Sequence, residues 1–348
     1  MKIALDAMGG DHAPHEIVHG AVEAANKLKD VSCIFLVGDE AAIQAELAKY
    51  PKVNMERLKI VHAPEAIGMD EAPAQAVRKK KLCSISICME MVKRKEADAM
   101  VSAGNSGAVA ASAVFTLGRI PGVTRPAIAT ALPTRMPHRP TLLLDAGANT
   151  DCEAVWLAQF AVMGSAYSQA VLKQPVPVVG LLSIGSEDCK GNEMTKKAFP
   201  MIQKIDVNFR GNVEGHDLFM GEVDVVVCDG FVGNAVIKTA ESVAKAVGYW
   251  MKKEFFLDPV RMLGALLLKG ALQTIRSRMD PEIYGGAPLL GVPGTVFVTH
   301  GGSTHRAIYH AIIAAAAAAT NNLTDTIIKR IAAMEAMIAE TPPPAPQA

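Results

Sequence analysis

Short uninterrupted apolar runs, each closed by a turn rich in Gly, Asn or Asp and followed by a longer helical pattern, recur along most of the chain. A strand buried on both faces reads as a continuous apolar run, and parallel strands need a crossover helix between them. This grammar therefore dictates a mostly parallel sheet covered by helices. Strands are expected at residues 3–7, 33–37, 59–63, 99–103, 127–132, 141–145, 178–183, 223–228 and 295–299. Helices are expected at residues 16–28, 40–49, 72–95, 106–117, 153–172, 234–251, 303–319 and 325–338. No internal repeat or Pro/Ser-rich linker interrupts the pattern, so a single α/β catalytic domain over residues 1–340 is the economical reading. The ending Thr341-Pro-Pro-Pro-Ala-Pro cannot continue a helix, and residues 341–348 are expected to be a disordered tail.

Composition narrows the function classes. Lys+Arg and Asp+Glu are equal at 35 each, so the molecule as a whole has no bias toward nucleic acid or membrane. The six cysteines, Cys33, Cys83, Cys88, Cys152, Cys189 and Cys228, contain no C-x-x-C pair and read as reduced thiols of a cytoplasmic protein. The N-terminus reaches Asp6 too soon for a signal-peptide core. Two uncharged stretches, residues 99–118 and 154–172, are rejected as membrane spans. The first contains a turn that lipid would leave unsatisfied, and the second carries Gln159, Ser165, Ser168 and Gln169.

Chemistry concentrates in five turns at strand ends, where open α/β sheets bind ligands and helix N-termini attract anions. The first is Asp6-Ala-Met-Gly9-Gly10-Asp11-His12-Ala-Pro14, in which Asp11 is expected to cap the next helix. The second is Ser102-Ala-Gly104-Asn105-Ser106-Gly107, and the third is Asp145-Ala-Gly-Ala-Asn149-Thr-Asp151. The fourth, Ser183-Ile-Gly-Ser-Glu187-Asp188-Cys189-Lys190-Gly-Asn192-Glu193, adds a cation able to sit over a phosphate or a developing oxyanion. The fifth, Cys228-Asp229-Gly-Phe-Val-Gly-Asn234, ends a strand with an acid and opens a helix with Asn. Any one of these has an ordinary connecting role as its alternative, and the Lys190 turn has that of a self-neutralising surface loop. Four such turns on one side of one sheet point to an anion site.

Familiar cofactor motifs are missing. Gly180-x-x-x-x-Gly185 is followed by Ser186 and Glu187 where a phosphate-binding Walker loop needs Lys and Ser or Thr. There is no G-x-G-x-x-G, H-E-x-x-H or G-x-S-x-G, and the nine histidines are scattered. No metal or nucleotide cofactor is expected. A dehydrogenase or kinase of similar architecture would need a dinucleotide fingerprint or clustered carboxylates. A non-catalytic scaffold would leave Lys190 and Asn234 unexplained.

Taken in order, the five turns with Ala76-Val-Arg78-Lys79-Lys80, Gly211-Asn-Val-Glu-Gly215 and Tyr284-Gly-Gly-Ala-Pro-Leu-Leu-Gly291 resemble the bacterial phosphate acyltransferase (PlsX) family from residue 1 to about 310. Departures are confined to Cys83-Ser84, Cys189 and His300-Gly-Gly-Ser303. The resemblance implies transfer of a fatty acyl group from acyl carrier protein to inorganic phosphate, yielding acyl phosphate for phospholipid synthesis. It also implies a homodimer and a three-layer α/β/α sandwich like that of isopropylmalate dehydrogenases and phosphotransacetylases, without their nicotinamide or metal. On this reading Lys190 stabilises phosphate and oxyanion, Asn234 at a helix N-terminus orients the carbonyl or phosphate, and the turns at Gly9-Gly10 and Gly104-Asn105-Ser106 supply backbone donors. Asp6, Asp11, His12, Gly107, Asp145, Asn149, Asn192 and Asp229 complete the expected binding set.

Two further features concern partners. Arg78-Lys79-Lys80-Lys81 is either a solvated helix face or a docking stripe for acidic carrier protein. Residues 250–283 form an amphipathic cationic helical hairpin, with Phe255, Phe256, Leu263, Leu266 and Leu267 beside Arg261, Lys269, Arg276 and Arg278. It suits burial in a dimer or shallow insertion into anionic lipid, which makes peripheral membrane attachment an expectation.

Overall fold

The computed structural model describes residues 1–339, so the Pro-rich ending lies outside the described residues. Its strands are β1 (Lys2–Asp6), β2 (Cys33–Gly38), β3 (Leu58–His62), β4 (Ala99–Ser102), β5 (Ala127–Leu132), β6 (Thr141–Leu144), β7 (Val178–Leu182), β8 (Asn208–Val213), β9 (Val225–Val227), β10 (Ala287–Leu290) and β11 (Thr295–Val298). They form one 11-stranded sheet in the order β3-β2-β1-β4-β11-β10-β5-β6-β9-β7-β8. The helices are α1 (His15–Lys27), α2 (Glu40–Leu47), α3 (Pro73–Lys79), α4 (Ser84–Lys93), α5 (Ser106–Thr116), α6 (Ala154–Ala170), α7 (Glu193–Lys204), α8 (Gly230–Phe255), α9 (Pro259–Leu267), α10 (Lys269–Arg278), α11 (His305–Thr320) and α12 (Leu323–Ala339).

Side-chain alternation along the buried strands builds three layers. Ile3, Leu5, Ile34, Leu36, Ala99, Val101, Leu142, Leu144, Val225 and Val227 face a core shared with α1, α6, α7, α11 and α12. Their neighbours Ala4, Val37 and Met100 face the opposite layer of α3, α4 and α5. Leu143 and Val226 meet Val236 and Ile237 of α8 on that second side. The apolar stretch over residues 154–172 is α6, buried from Trp156 to Ser168 within the first core. Among the described residues no single helix is long and apolar enough to cross a membrane.

The sheet reverses in its middle. β1, β2, β3, β4 and β11 are parallel to one another, but β10 pairs antiparallel with both β11 and β5, and β5 pairs antiparallel with β6. β6, β9, β7 and β8 then run together, opposite to β1 and β4. The turns after β1 and β4 therefore leave one end of the sheet, and those after β6, β7 and β9 leave the other. The expectation of four turns on one side is corrected: the turns form two groups.

Other boundaries also move. The helix expected over residues 72–95 is two, α3 and α4, because Lys80 turns aside to bond Glu71 at 2.6 Å and the Ala66 carbonyl at 2.8 Å. β8, with Asn208, Arg210 and a left-handed Gly211 (φ 107°), lies at the sheet edge and lacks the apolar run of a central strand. β10 is short and begins Ala287-Pro288, a pattern that argues against a strand. α7 carries Pro200.

Candidate functional site

In the first group of turns, Asp6 ends β1 fully buried, and its carboxylate accepts from Ser102 Oγ at 2.6 Å and Met8 N at 3.1 Å. Burial pushes the Asp6 carboxyl above the ordinary carboxylate range, against the pull of these donors. The Ser102 hydroxyl also accepts from Gly104 N at 3.0 Å, tying the two strand ends together. Gly9 permits this approach, since a Cβ there would lie 2.5 Å from Asp6 Oδ2 and 2.6 Å from Gly104 N. Gly10 adopts φ 99° and faces the Gly301 carbonyl, which accepts from Asp11 N at 2.8 Å.

Asp11 does not cap α1, whose N-cap is Pro14 without a side-chain bond; its carboxylate lies instead along Gly301 and Gly302. His12 is exposed and its carbonyl accepts from Glu16 N at 3.2 Å. Asn105 caps α5 through Ala108 N and donates to the Met69 and Glu71 carbonyls, so its amide is committed to the fold. Ser106 and Gly107 are exposed in the first turn of α5.

The second group gathers around Asp145. Its buried carboxylate accepts from Ile128 N, Gly147 N and Ala148 N on Oδ1, and from the backbone and side-chain nitrogens of Asn149 on Oδ2, at 2.6–3.2 Å. Burial raises the Asp145 carboxyl while these donors oppose it. With its acceptor sites occupied, Asp145 organises the loop rather than serving as a free base. Asn149 also donates to the Pro126 carbonyl at 2.8 Å, and its own carbonyl accepts Gly230 N at 2.7 Å, which anchors the start of α8.

Here the structure corrects a boundary that matters: α8 begins at Gly230, with Asp229 as N-cap accepting from Val232 N at 2.9 Å. Asn234 is not at the helix N-terminus; it is exposed in the second turn, against Gly147. Gly233 makes this packing possible, for a Cβ there would lie 1.9 Å from the Asp145 carbonyl oxygen. Asn192 is the N-cap of α7, accepting from Thr195 N at 2.9 Å.

Asn192 and Asp229 meet across an open cleft of about 500 Å³, together with Thr150, Asp151, Cys152, Met194, Phe231 and Val232. The N-termini of α7 and α8 form its walls, through Asn192 and Met194 and through Asp229, Phe231 and Val232. Among the described residues the N–H groups of Glu193, Met194 and Phe231 find no protein acceptor. Helix N-termini carry partial positive charge, so two converging on one cleft favour an anion.

Lys190 lies outside the cleft wall, two residues before Asn192 on the turn that delivers it. That turn is pinned where Glu187 O accepts Asn212 Nδ2 at 2.8 Å and Lys190 N at 3.0 Å, and its sharp bend uses Gly191 at φ 115°. The Lys190 side chain is exposed and, among the described residues, forms no ion pair; Glu187 and Asp188 form none either. The loop does not neutralise itself. Cys152, at the cleft wall, has its thiol pushed up to about 12 by burial and the nearby carboxylates, which removes the thiolate needed of a nucleophile. No hydrogen bond among the described residues joins this group of turns to the first.

The reversing α/β/α sheet is a fold shared with solved phosphotransacetylases. EutD phosphotransacetylase from Staphylococcus aureus superposes with a TM-score of 0.57 at 18% identity, over 92% of this chain and 94% of that one. A putative 4-hydroxythreonine-4-phosphate dehydrogenase from Salmonella typhimurium has the same fold, with a TM-score of 0.54 at 12% identity, over 91% and 98% of the two chains. At these identities the likeness describes the fold alone.

Sequence carries the identification further. The profile of the family described as "Fatty acid synthesis protein" matches residues 1–326. A phosphate acyltransferase from Thermoanaerobacter pseudethanolicus is 47% identical over 334 residues, 96% of this chain and 98% of that protein. The chain belongs to the phosphate acyltransferase family and is an acyltransferase.

Proposed function

We propose that this enzyme transfers a fatty acyl group from acyl carrier protein to inorganic phosphate, producing acyl phosphate for phospholipid synthesis, within one catalytic domain over residues 1–340. The observation that carries this reading is the convergence of two helix N-termini, those of α7 and α8, on the cleft between Asn192 and Asp229. A phosphate oxygen attacks the thioester carbonyl carbon, the tetrahedral intermediate collapses with cleavage of the C–S bond, and the carrier thiolate leaves and takes up a proton. Phosphate is nucleophilic enough that binding it against the thioester and stabilising the oxyanion suffice. Lys190, unpaired on its turn, supplies the mobile positive charge, and Asn234, beside Gly147, orients the acyl carbonyl or the phosphate. At the other end of the sheet, the exposed members of the first group of turns, Asp11, His12, Ser106 and Gly107, contribute a separate polar surface to substrate binding, on a framework held by buried Asp6, Gly9 and Gly104 and by Gly10.

The arm suggests how an apolar product leaves. Beyond its first turns α8 is largely exposed, and Phe256 (64%), Val260 (80%), Leu266 (65%) and Leu267 (79%) are open to solvent. Apolar surface of this extent calls for a cover. In this proposal one face packs against a second copy in a homodimer while the tip enters anionic lipid, so that the enzyme is cytoplasmic and peripherally membrane-attached. The basic run adds an electrostatic guide for the carrier, although Lys80 is already paired with Glu71 and Arg78 lies over the Phe115 ring.

The deciding assay incubates purified protein with acyl-carrier thioester, with and without phosphate, and measures acyl phosphate. Phosphate-dependent acyl phosphate is expected; thioester loss indifferent to phosphate would refute the reading. Failure to sediment with anionic vesicles would refute membrane contact without touching the chemistry.

A further inference from the structure

Three groups from two distant parts of the sequence meet where α1 packs on α11. Glu16 and His19, three residues apart, share one face of α1, and His305 is the first residue of α11. The His19 and His305 rings are stacked with centroids 3.9 Å apart and planes 15° apart. Glu16 Oε2 accepts from His305 N at 2.5 Å and lies 3.0 Å from His305 Nδ1. One ligand atom from each residue falls within 4.8 Å of the others, and all three residues are half-buried. Among the described residues the His19 ring makes no hydrogen bond, although a carboxylate and a second imidazole stand beside it.

We propose that Glu16, His19 and His305 bind a divalent transition-metal ion of the zinc class, which clamps α1 to α11. Two imidazole nitrogens and one carboxylate oxygen make a three-ligand zinc set with a fourth position open to water, and nitrogen donors disfavour magnesium and calcium. Because the stacked rings aim their lone pairs in parallel, rotation of both imidazoles about their Cβ–Cγ bonds is what brings the donors onto one ion at bonding distances of about 2.0–2.2 Å. An outer layer already exists: His15 lies 3.8 Å from Glu16 Oε1 and 2.5 Å from buried Glu46, which Lys49 pairs at 2.6 Å. The clamp also has a line to the substrate turns, because the segments just ahead of α1 and α11 touch through Asp11 N and Gly301 O at 2.8 Å.

The test is titration of tag-free, full-length protein with zinc sulfate by calorimetry, in a Cys189→Ser background that removes the exposed thiol. One ion per chain is expected, with affinity reduced at least about tenfold by His19→Ala and by His305→Ala. Cobalt(II) substituted for zinc should show visible bands of nitrogen and oxygen ligation without a thiolate charge-transfer band. His19→Ala leaves the Glu16–His305 bonds intact, and its thermal melt verifies folding. Should His305→Ala unfold, His19→Gln provides the second affinity measurement. Zinc binding unchanged in the folded His19 variants, a thiolate band on cobalt, or no binding at millimolar zinc would each overturn the proposal.

Discussion

Replacing a helical glycine by alanine ordinarily stabilises a helix by about 0.8–1.0 kcal/mol. On α8 the same change should act with opposite signs at two positions. Nothing lies within 4 Å of a Cβ built on Gly248, so Gly248→Ala is expected to be neutral or stabilising. At Gly233 the new methyl would lie 1.9 Å from the Asp145 carbonyl oxygen, 3.0 Å from its carbonyl carbon and 3.2 Å from Cys228 Sγ. Carbon–oxygen contacts settle near about 3.3 Å, so α8 must retreat by more than about 1 Å. The loop cannot yield in its place, because five N–H bonds hold the Asp145 carboxylate. Overpacking of this kind costs about 1–3 kcal/mol. Misplacing Asp229 and Asn234 by about 1 Å relative to the Asp145 loop is expected to cost about 100-fold in turnover, or about 2.7 kcal/mol of activation free energy. Urea unfolding and kcat/KM for acyl-carrier thioester with phosphate measure the two effects. Wild-type stability and activity in Gly233→Ala, or an equal loss in Gly248→Ala, would refute the packing reasoning.

Lys190→Ala should lower turnover by about 100-fold or more while leaving the melting temperature unchanged, since the exposed ammonium forms no ion pair to lose. Cys152→Ser and Cys189→Ser should each retain activity within about twofold, and acid quench should trap no acylated protein, because phosphate attacks directly. The donors of His305 outweigh burial and hold the Glu16 carboxyl below the ordinary glutamate range. Its folded form therefore releases its proton more readily than the unfolded form. Its contribution to stability is complete above about pH 4.3 and lost as pH falls further, so Glu16→Gln should flatten the acid limb of the stability profile.

Local patterns carried much of this molecule. The continuous apolar runs of β1, β2, β4 and β6 need burial on both faces, and the glycines at 9, 191 and 233 stand where backbone approaches or turns leave no room for a side chain. What the pattern did not carry is direction. A run such as Ala127–Leu132 looks the same whether its neighbours are parallel or antiparallel, so the reversal through β10 and β5 that divides the turns into two groups was hidden. The start of α8 was misplaced because Gly230 and Gly233 read as turn residues, although they are glycine so that α8 can press against Asn149 and Asp145. The Glu16, His19 and His305 cluster joins residues separated by most of the chain, and no local spacing announces it.

The order in which the sheet is laid down has a consequence for synthesis. β4 takes its second neighbour from β11, whose pairing of Thr295 with Ala99 spans about 200 residues. At about 5–20 residues per second, a ribosome needs roughly 10–40 s to supply that partner after β4 has emerged. During that interval the first parallel block has four of its five strands and an open, strongly apolar edge at Ala99–Ser102. Such an edge is a template for pairing with another chain. An edge that waits this long for its partner is the part of the parallel block most open to pairing with another chain during synthesis.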